Sequence, residues 1–132
     1  MKALGRHLIL ELYDCGADLS SVAGVQDAML KAAGAAGATI VDSIFHHFKP
    51  HGVSGVVVIA ESHFAIHTWP EHRYASADLF TCGESTRPWE AFKVIKRAFK
   101  AEHFSVMNLE RGLLPAERYR KERITKAQGC AA

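Results

Sequence analysis

Four strand-like runs follow one another between Ala38 and Gly83 with no helix between them, and this crowding limits the architecture more than any other feature. The first, "ATIVDSIFHHF" (Ala38–Phe48), is rich in β-branched and aromatic residues, which suit a pleated strand. "KPHG" then reads as a turn through Pro50 and Gly52. "VSGVVVIA" and "FAIHTW" are strands on either side of a polar break, Glu61–Ser62–His63. After a loop, "PEHRY", comes the strand "ASADLFTCG".

The flanks supply two helices and two more strands. "HLILELYDC" (His7–Cys15) is short and apolar, so it reads as a strand. Val22, Val25, Met29, Leu30 and Ala33 then lie at helical spacing, with Ser20 or Ser21 as the cap and Gly34 and Gly37 as the stop. Arg87–Glu102 is an amphipathic helix with Pro88 in its first turn. Trp89, Phe92, Ile95, Ala98 and Phe99 form its apolar stripe, and Lys93, Lys96, Arg97 and Lys100 turn to solvent. "HFSVMNLERG" is the last strand, and the tail from Pro115 is expected to fray. The order β-α-β-β-β-β-α-β implies an α+β fold of two layers, with a mainly antiparallel sheet and both helices on one face. The other face then needs cover, and a dimer is a natural solution.

At 132 residues the chain is one domain, large enough to bury a core without staples. A formal charge of +2 gives no pull towards nucleic acid or acidic membranes. No apolar run approaches the roughly 20 residues that a membrane helix needs. Arg6, His7 and Glu11 spoil a signal-peptide reading, so a cytoplasmic location is expected. The three cysteines, Cys15, Cys82 and Cys130, include no CxxC pair, which argues against a disulfide framework and a thiolate zinc site.

The polar break has a bland reading and a chemical one. Ser62 after a buried strand suits a turn, and Cys82 in an apolar strand suits an inert core thiol. A serine, histidine and cysteine close in sequence also suit acyl transfer. However, Gly-x-Ser-x-Gly is absent, and no acid is evidently placed to orient His67. His46, His47, His63 and His67 match no closed zinc pattern, and adjacent His46 and His47 point to opposite faces of a strand, so no metal site is expected. From the residues alone, Ser62 is a candidate nucleophile without a known partner.

"GRHLILELYDC", "GATIVDSIFHHFKPHGVSGVVVIAESHFAIHTWPE", "YASADLFTCGE" and "PWEAFKVIKRAFKA" closely resemble the short prokaryotic S-adenosylmethionine decarboxylases, over about residues 1–112. The resemblance implies a proenzyme that cuts itself between Glu61 and Ser62 into a β chain, 1–61, and an α chain, 62–132. The α chain would begin with a pyruvoyl group made from Ser62, the only cofactor required, which forms a Schiff base with S-adenosylmethionine. His67 matches the processing base, which a neutral imidazole suits. Ser54 matches a serine that assists processing and lies on a segment adjacent to Ser62, so contact between the two serines is expected. Cys82 matches the proton donor in turnover, and an ordinary cysteine is mostly protonated at neutral pH.

The same resemblance assigns adenine stacking to Phe48 and Trp69 and the ribose hydroxyls to Glu71. It also implies a homodimer with shared active sites; that no nucleic-acid or membrane partner is expected follows from the charge and hydropathy above. His47 stands where many relatives carry arginine or another polar residue, and His72–Arg73 stands where an aromatic–glycine pair is frequent. The rival enzyme is a pyruvoyl-dependent arginine or ornithine decarboxylase on the same scaffold, for which a nucleoside site has no use. A binding or regulatory subunit without activity is the rival of another class. One difficulty remains: strand alternation puts Ser62 and His67 on opposite faces, so either the chain bends at 61–63 or the new terminus swings after the cut.

Overall fold

The computed structural model describes residues 2–115. Among them the elements run β1 (Gly5–Cys15), α1 (Val22–Ala35), β2 (Ile40–His47), β3 (Val53–Ile59), β4 (Ser62–Trp69), β5 (Tyr74–Cys82), α2 (Pro88–Phe99) and β6 (Ala101–Arg111). A 3-10 turn, Pro70–His72, joins β4 to β5. The strands form one sheet in the order β2-β3-β4-β5-β1-β6, with every neighbouring pair antiparallel. This is the expected order of elements and the expected α+β class. The tail after Pro115 and Cys130 lie outside the described residues.

Both helices cover the same face. α1 packs on β2, β3 and β4, α2 packs on β1 and β5, and the helices touch each other. Period-two burial follows. Leu8, Leu10 and Leu12 of β1, Val57 of β3, Phe64 and Ile66 of β4 and Leu79 of β5 are all fully buried. Each such side chain contributes about 1.5–3 kcal/mol. The alternate positions, among them Ser54, His63, His67, Asp78 and Cys82, face away from the helices. That second face has no helix on it and leaves Ile44 73% and Met107 57% exposed.

Local chemistry sets the element ends. The Ser21 hydroxyl accepts the Gly24 N–H at 3.1 Å and caps α1, a contact worth about 1 kcal/mol. The helix ends at Ala35, and two residues on Gly37 turns the chain away with a φ of 71°, the left-handed conformation that glycine adopts without strain. Gly34, expected to share that role, lies inside the helix. α2 starts at Pro88 and ends at Phe99, three residues earlier than expected, because Lys100 turns left-handed and Ala101–Glu102 join β6. Phe92, Ile95 and Phe99 are buried as expected. Ala98 is exposed, and Trp89, at the helix start, is 40% exposed with its ring edge against Phe92. Where β2 crosses β3, the Phe45 ring lies over Gly55 so closely that any Cβ there would meet it at 2.0 Å.

Candidate active site

The polar break is a two-residue hairpin. Ile59 pairs with Ser62, Ala60 and Glu61 form the loop, and β4 begins at Ser62. The chain reverses at Ala60–Glu61, ahead of Ser62, and β4 then runs unbroken to Trp69, so the bend expected at 61–63 does not bring Ser62 and His67 to one face of the strand. Ser62 has a φ of 146°, a conformation that side chains strongly disfavour. Such a residue stores on the order of 1–3 kcal/mol and persists only where its surroundings hold it.

Three contacts do the holding. The Ala60 N–H donates to the Thr39 carbonyl at 2.8 Å. The Thr39 N–H points at both carboxylate oxygens of Glu61, at 3.1 and 3.2 Å, and Glu61 is only 7% exposed. The Glu61 carbonyl accepts the backbone N–H of Cys82 at 2.7 Å. A donor on that oxygen polarises the carbonyl next to the Ser62 hydroxyl and would stabilise charge developing there.

A second group of polar side chains sits at the far end of β4. The Ser54 hydroxyl lies 2.8 Å from Nδ1 of His67, across the β3–β4 ladder. The pair lines a cleft of about 310 Å³ together with Phe48, His51, Gly52, Thr68, Trp69 and Glu71. Thr68 anchors the floor: its buried hydroxyl accepts the Val53 N–H and donates to the Leu19 carbonyl, both at 2.8 Å. Phe48 and Trp69 are 47% and 41% exposed, so neither is core. Trp69 is braced by Tyr74, with ring centroids 5.2 Å apart. Desolvation, with the hydrogen bond to Glu11, pushes the Tyr74 hydroxyl above its ordinary pKa and keeps it a donor. Glu71, carried by the 3-10 turn, meets His51 Nε2 at 2.5 Å.

The residues singled out in the sequence thus fall into two groups. Glu61, Ser62 and Cys82 are together, and Ser54, His67, Phe48, Trp69 and Glu71 are together. Five residues of strand separate Ser62 from His67, roughly 16 Å at about 3.3 Å per residue. The contact expected between Ser54 and Ser62 is absent within one chain, because antiparallel register sets Ser54 opposite His67 and Ser62 opposite Ile59. His51 was not foreseen, since a histidine in a turn carries no signal of a partner 20 residues away in sequence. Asp78 was also missed. Its carboxylate, His7 and His63 bring three atoms able to ligate a metal within 4.8 Å of one another, as Asp14, Glu102 and His103 do on the surface.

Together these features define a two-layer α+β protein with a strained serine at the turn of a sheet hairpin and, at the far end of that hairpin, a cleft of about 310 Å³ lined by two half-exposed aromatic rings and a carboxylate. The sequence pattern of S-adenosylmethionine decarboxylase matches residues 6–112. The S-adenosylmethionine decarboxylase proenzyme of Thermotoga petrophila is 56% identical over 113 residues, which cover 85% of this chain and 87% of that protein. That of Pelotomaculum thermopropionicum is 48% identical over 123 residues, covering 92% and 97%. The crystal structure of the adenosylmethionine decarboxylase from Aquifex aeolicus VF5 superimposes with a TM-score of 0.82 at 34% identity, covering 88% of this chain and 97% of that one. The chain belongs to the S-adenosylmethionine decarboxylase family.

Proposed function

We propose that this chain is a self-processing S-adenosylmethionine decarboxylase. It severs its backbone between Glu61 and Ser62, leaving a β chain, 1–61, and an α chain, 62–132, that begins with a pyruvoyl group. One observation supports this above the others. Ser62 is held at a φ of 146° directly after a carbonyl that accepts the Cys82 N–H.

The chemistry runs through the chain's own atoms. The Ser62 hydroxyl attacks the Glu61 carbonyl carbon, the C–N bond breaks, and the serine nitrogen takes up the proton. Conformational strain in the amide is relieved as the ester forms. A neutral imidazole, His67 with Ser54 on its Nδ1, then removes the Ser62 α-hydrogen. The Cβ–O bond breaks, and Glu61 leaves as the carboxyl terminus of the β chain. Water hydrolyses the resulting enamine to the ketone and releases ammonia.

The pyruvoyl group supplies a carbonyl that condenses with the substrate amine and draws off the electron pair left when carbon dioxide departs. The Cys82 thiol then returns a proton to the substrate α-carbon. Phe48 and Trp69 stack the adenine, and Glu71, braced by His51, accepts from the ribose hydroxyls. The product is the aminopropyl donor for spermidine synthesis.

The two groups of residues, roughly 16 Å apart by strand rise, support a homodimer with shared sites. One copy supplies Ser62 and Cys82, and the other supplies Ser54, His67, Phe48, Trp69 and Glu71. The apolar side chains exposed on the open face, Ile44 and Met107 among them, give a second copy something to cover. Among the described residues no helix is long and apolar enough to cross a membrane. A cytoplasmic location belongs to the same proposal, and no nucleic-acid or membrane partner does.

The cleft favours S-adenosylmethionine over free arginine or ornithine, because two exposed aromatic rings and a carboxylate suit a nucleoside. Trapping the gas released from carboxyl-labelled S-adenosylmethionine, arginine and ornithine tests this. Label released from S-adenosylmethionine alone is expected. Release from a free amino acid alone contradicts the substrate, and no release from any of the three contradicts the activity.

A further inference from the structure

We propose that His7, Asp78 and His63 form a clamp that keeps the α-chain terminus in place after the cut, making Asp78 and His63 positioning residues for turnover. The inference rests on the cleavage reading above. His63 is the residue whose nitrogen carries the pyruvoyl group once Ser62 has been converted. Its Nε2 lies 2.8 Å from Oδ2 of Asp78. Nε2 of His7 lies 2.9 Å from the same oxygen. The three side chains come from β4, β5 and β1, three adjacent strands of the sheet.

The proton positions follow from Arg111. A nitrogen of its guanidinium lies 3.4 Å from Nδ1 of His7, and a guanidinium only donates. That contact favours the His7 tautomer in which Nδ1 accepts and the Nε2–H donates to Asp78. A metal ligand would have to offer a lone pair at the same nitrogen. The cluster thus reads as a hydrogen-bonded clamp rather than a cation site. Phe80 packs near both imidazoles, with ring centroids 5.1 Å from His7 and 5.8 Å from His63, and the Arg111 guanidinium carbon lies 4.3 Å from the centroid of the Phe80 ring.

The cut creates the need for such a clamp. In the precursor, residue 62 is tethered through Glu61 to β3. After cleavage β4 starts at residue 62, and chain ends fray unless tied down. His63 carries the first side chain of β4 to reach across to another strand. Asp78 sits on the same strand as Cys82, so the clamp fixes the terminus relative to its proton donor. A misplacement of about 1 Å in such a site costs up to 10²-fold in rate.

Amide hydrogen exchange over residues 63–66 tests the clamp. The cleaved enzyme is compared with the uncleaved Ser62→Ala precursor, each with Asp78 intact and with Asp78→Ala. With Asp78 intact, the two forms are expected to exchange equally slowly. With Asp78→Ala, the cleaved form is expected to exchange roughly 10- to 150-fold faster than its uncleaved counterpart, the worth of one charge-assisted hydrogen bond. In the same variant kcat falls while KM holds. Asp78→Asn, which keeps one acceptor, recovers part of both. It also replaces Asp78→Ala if that variant does not fold, with a smaller difference in the same direction expected.

Equal exchange in the two forms of the variant overturns the clamp, as does a raised KM with kcat intact. One zinc per purified chain, lost on substitution of Asp78, overturns it too. Denaturing mass spectrometry of the unsubstituted protein is read first. An intact chain there refutes cleavage and clamp together, whereas a cut chain with equal exchange refutes the clamp alone.

Discussion

The Ser54 hydroxyl lies 2.8 Å from Nδ1 of His67, and both residues stand at the opposite end of the β3–β4 hairpin from Ser62. The hydrogen bond fixes the imidazole, leaving Nε2 to meet whatever enters the cleft. Within one chain that is not Ser62. Bending the sheet enough to close roughly 16 Å would break the ladder between the two strands.

Co-expression therefore separates a one-chain site from a shared one. Ser62→Ala alone stays intact for want of a nucleophile, and His67→Ala alone stays intact for want of a base. Expressed together they are expected to form mixed dimers, and the proposed shared site would set Ser62 of the His67→Ala chain beside the intact histidine of the other copy. Cleavage of the His67→Ala chain, seen as two new bands on a denaturing gel, is expected only in the mixture. Its absence from purified mixed dimers contradicts the shared site.

Cys82 contributes two different groups, and substitution divides them. The N–H that donates to the Glu61 carbonyl belongs to the backbone and survives Cys82→Ala. The thiol does not. Processing of Cys82→Ala is expected to continue at least in part, while turnover falls by about 10²–10⁴, the usual range for a lost acid–base group. Quantifying cleaved chain and kcat on one preparation checks both.

Trp69 is half-exposed and outside the core, so Trp69→Ala is expected to leave folding and processing unchanged. The loss of adenine stacking, worth about 1–3 kcal/mol per base, raises KM for S-adenosylmethionine roughly 5- to 150-fold. Steady-state kinetics on the processed variant gives the value.

Gly55→Ala tests the packing of β2. The Phe45 ring occupies the space of the new methyl at 2.0 Å, so ring or strand has to shift. A loss of about 1–3 kcal/mol is expected, visible as a lowered midpoint in thermal unfolding of the precursor. An unchanged midpoint would mean that Phe45 swings out of the way without cost.

Much of the fold was legible because burial has a period. Phe92, Ile95 and Phe99 mark the inner face of α2, and Leu8, Leu10 and Leu12 that of β1. Trp89 and Ala98 misled because apolar residues at the rim of a helix look the same as core in a pattern. The pairing of Ser54 with His67 was hidden for a different reason. It depends on the loop being two residues long, since Ile59 opposite Ser62 forces Ser54 opposite His67 five steps on. The polar run Glu61–Ser62–His63 blurred that length. The His7–Asp78–His63 cluster needed the order of three strands, and β1 lies beside β5 through a long-range pairing that local sequence does not announce.

Cleavage at Glu61–Ser62 is tested most directly by the intact mass of the purified, denatured protein, measured with and without prior borohydride. Two chains are expected, one ending at Glu61 and one beginning at position 62. The second should be lighter by one ammonia than a serine terminus would make it, and heavier by two hydrogens after reduction. A single full-length chain that borohydride leaves unchanged, from protein that is folded and has had time to mature, contradicts the account.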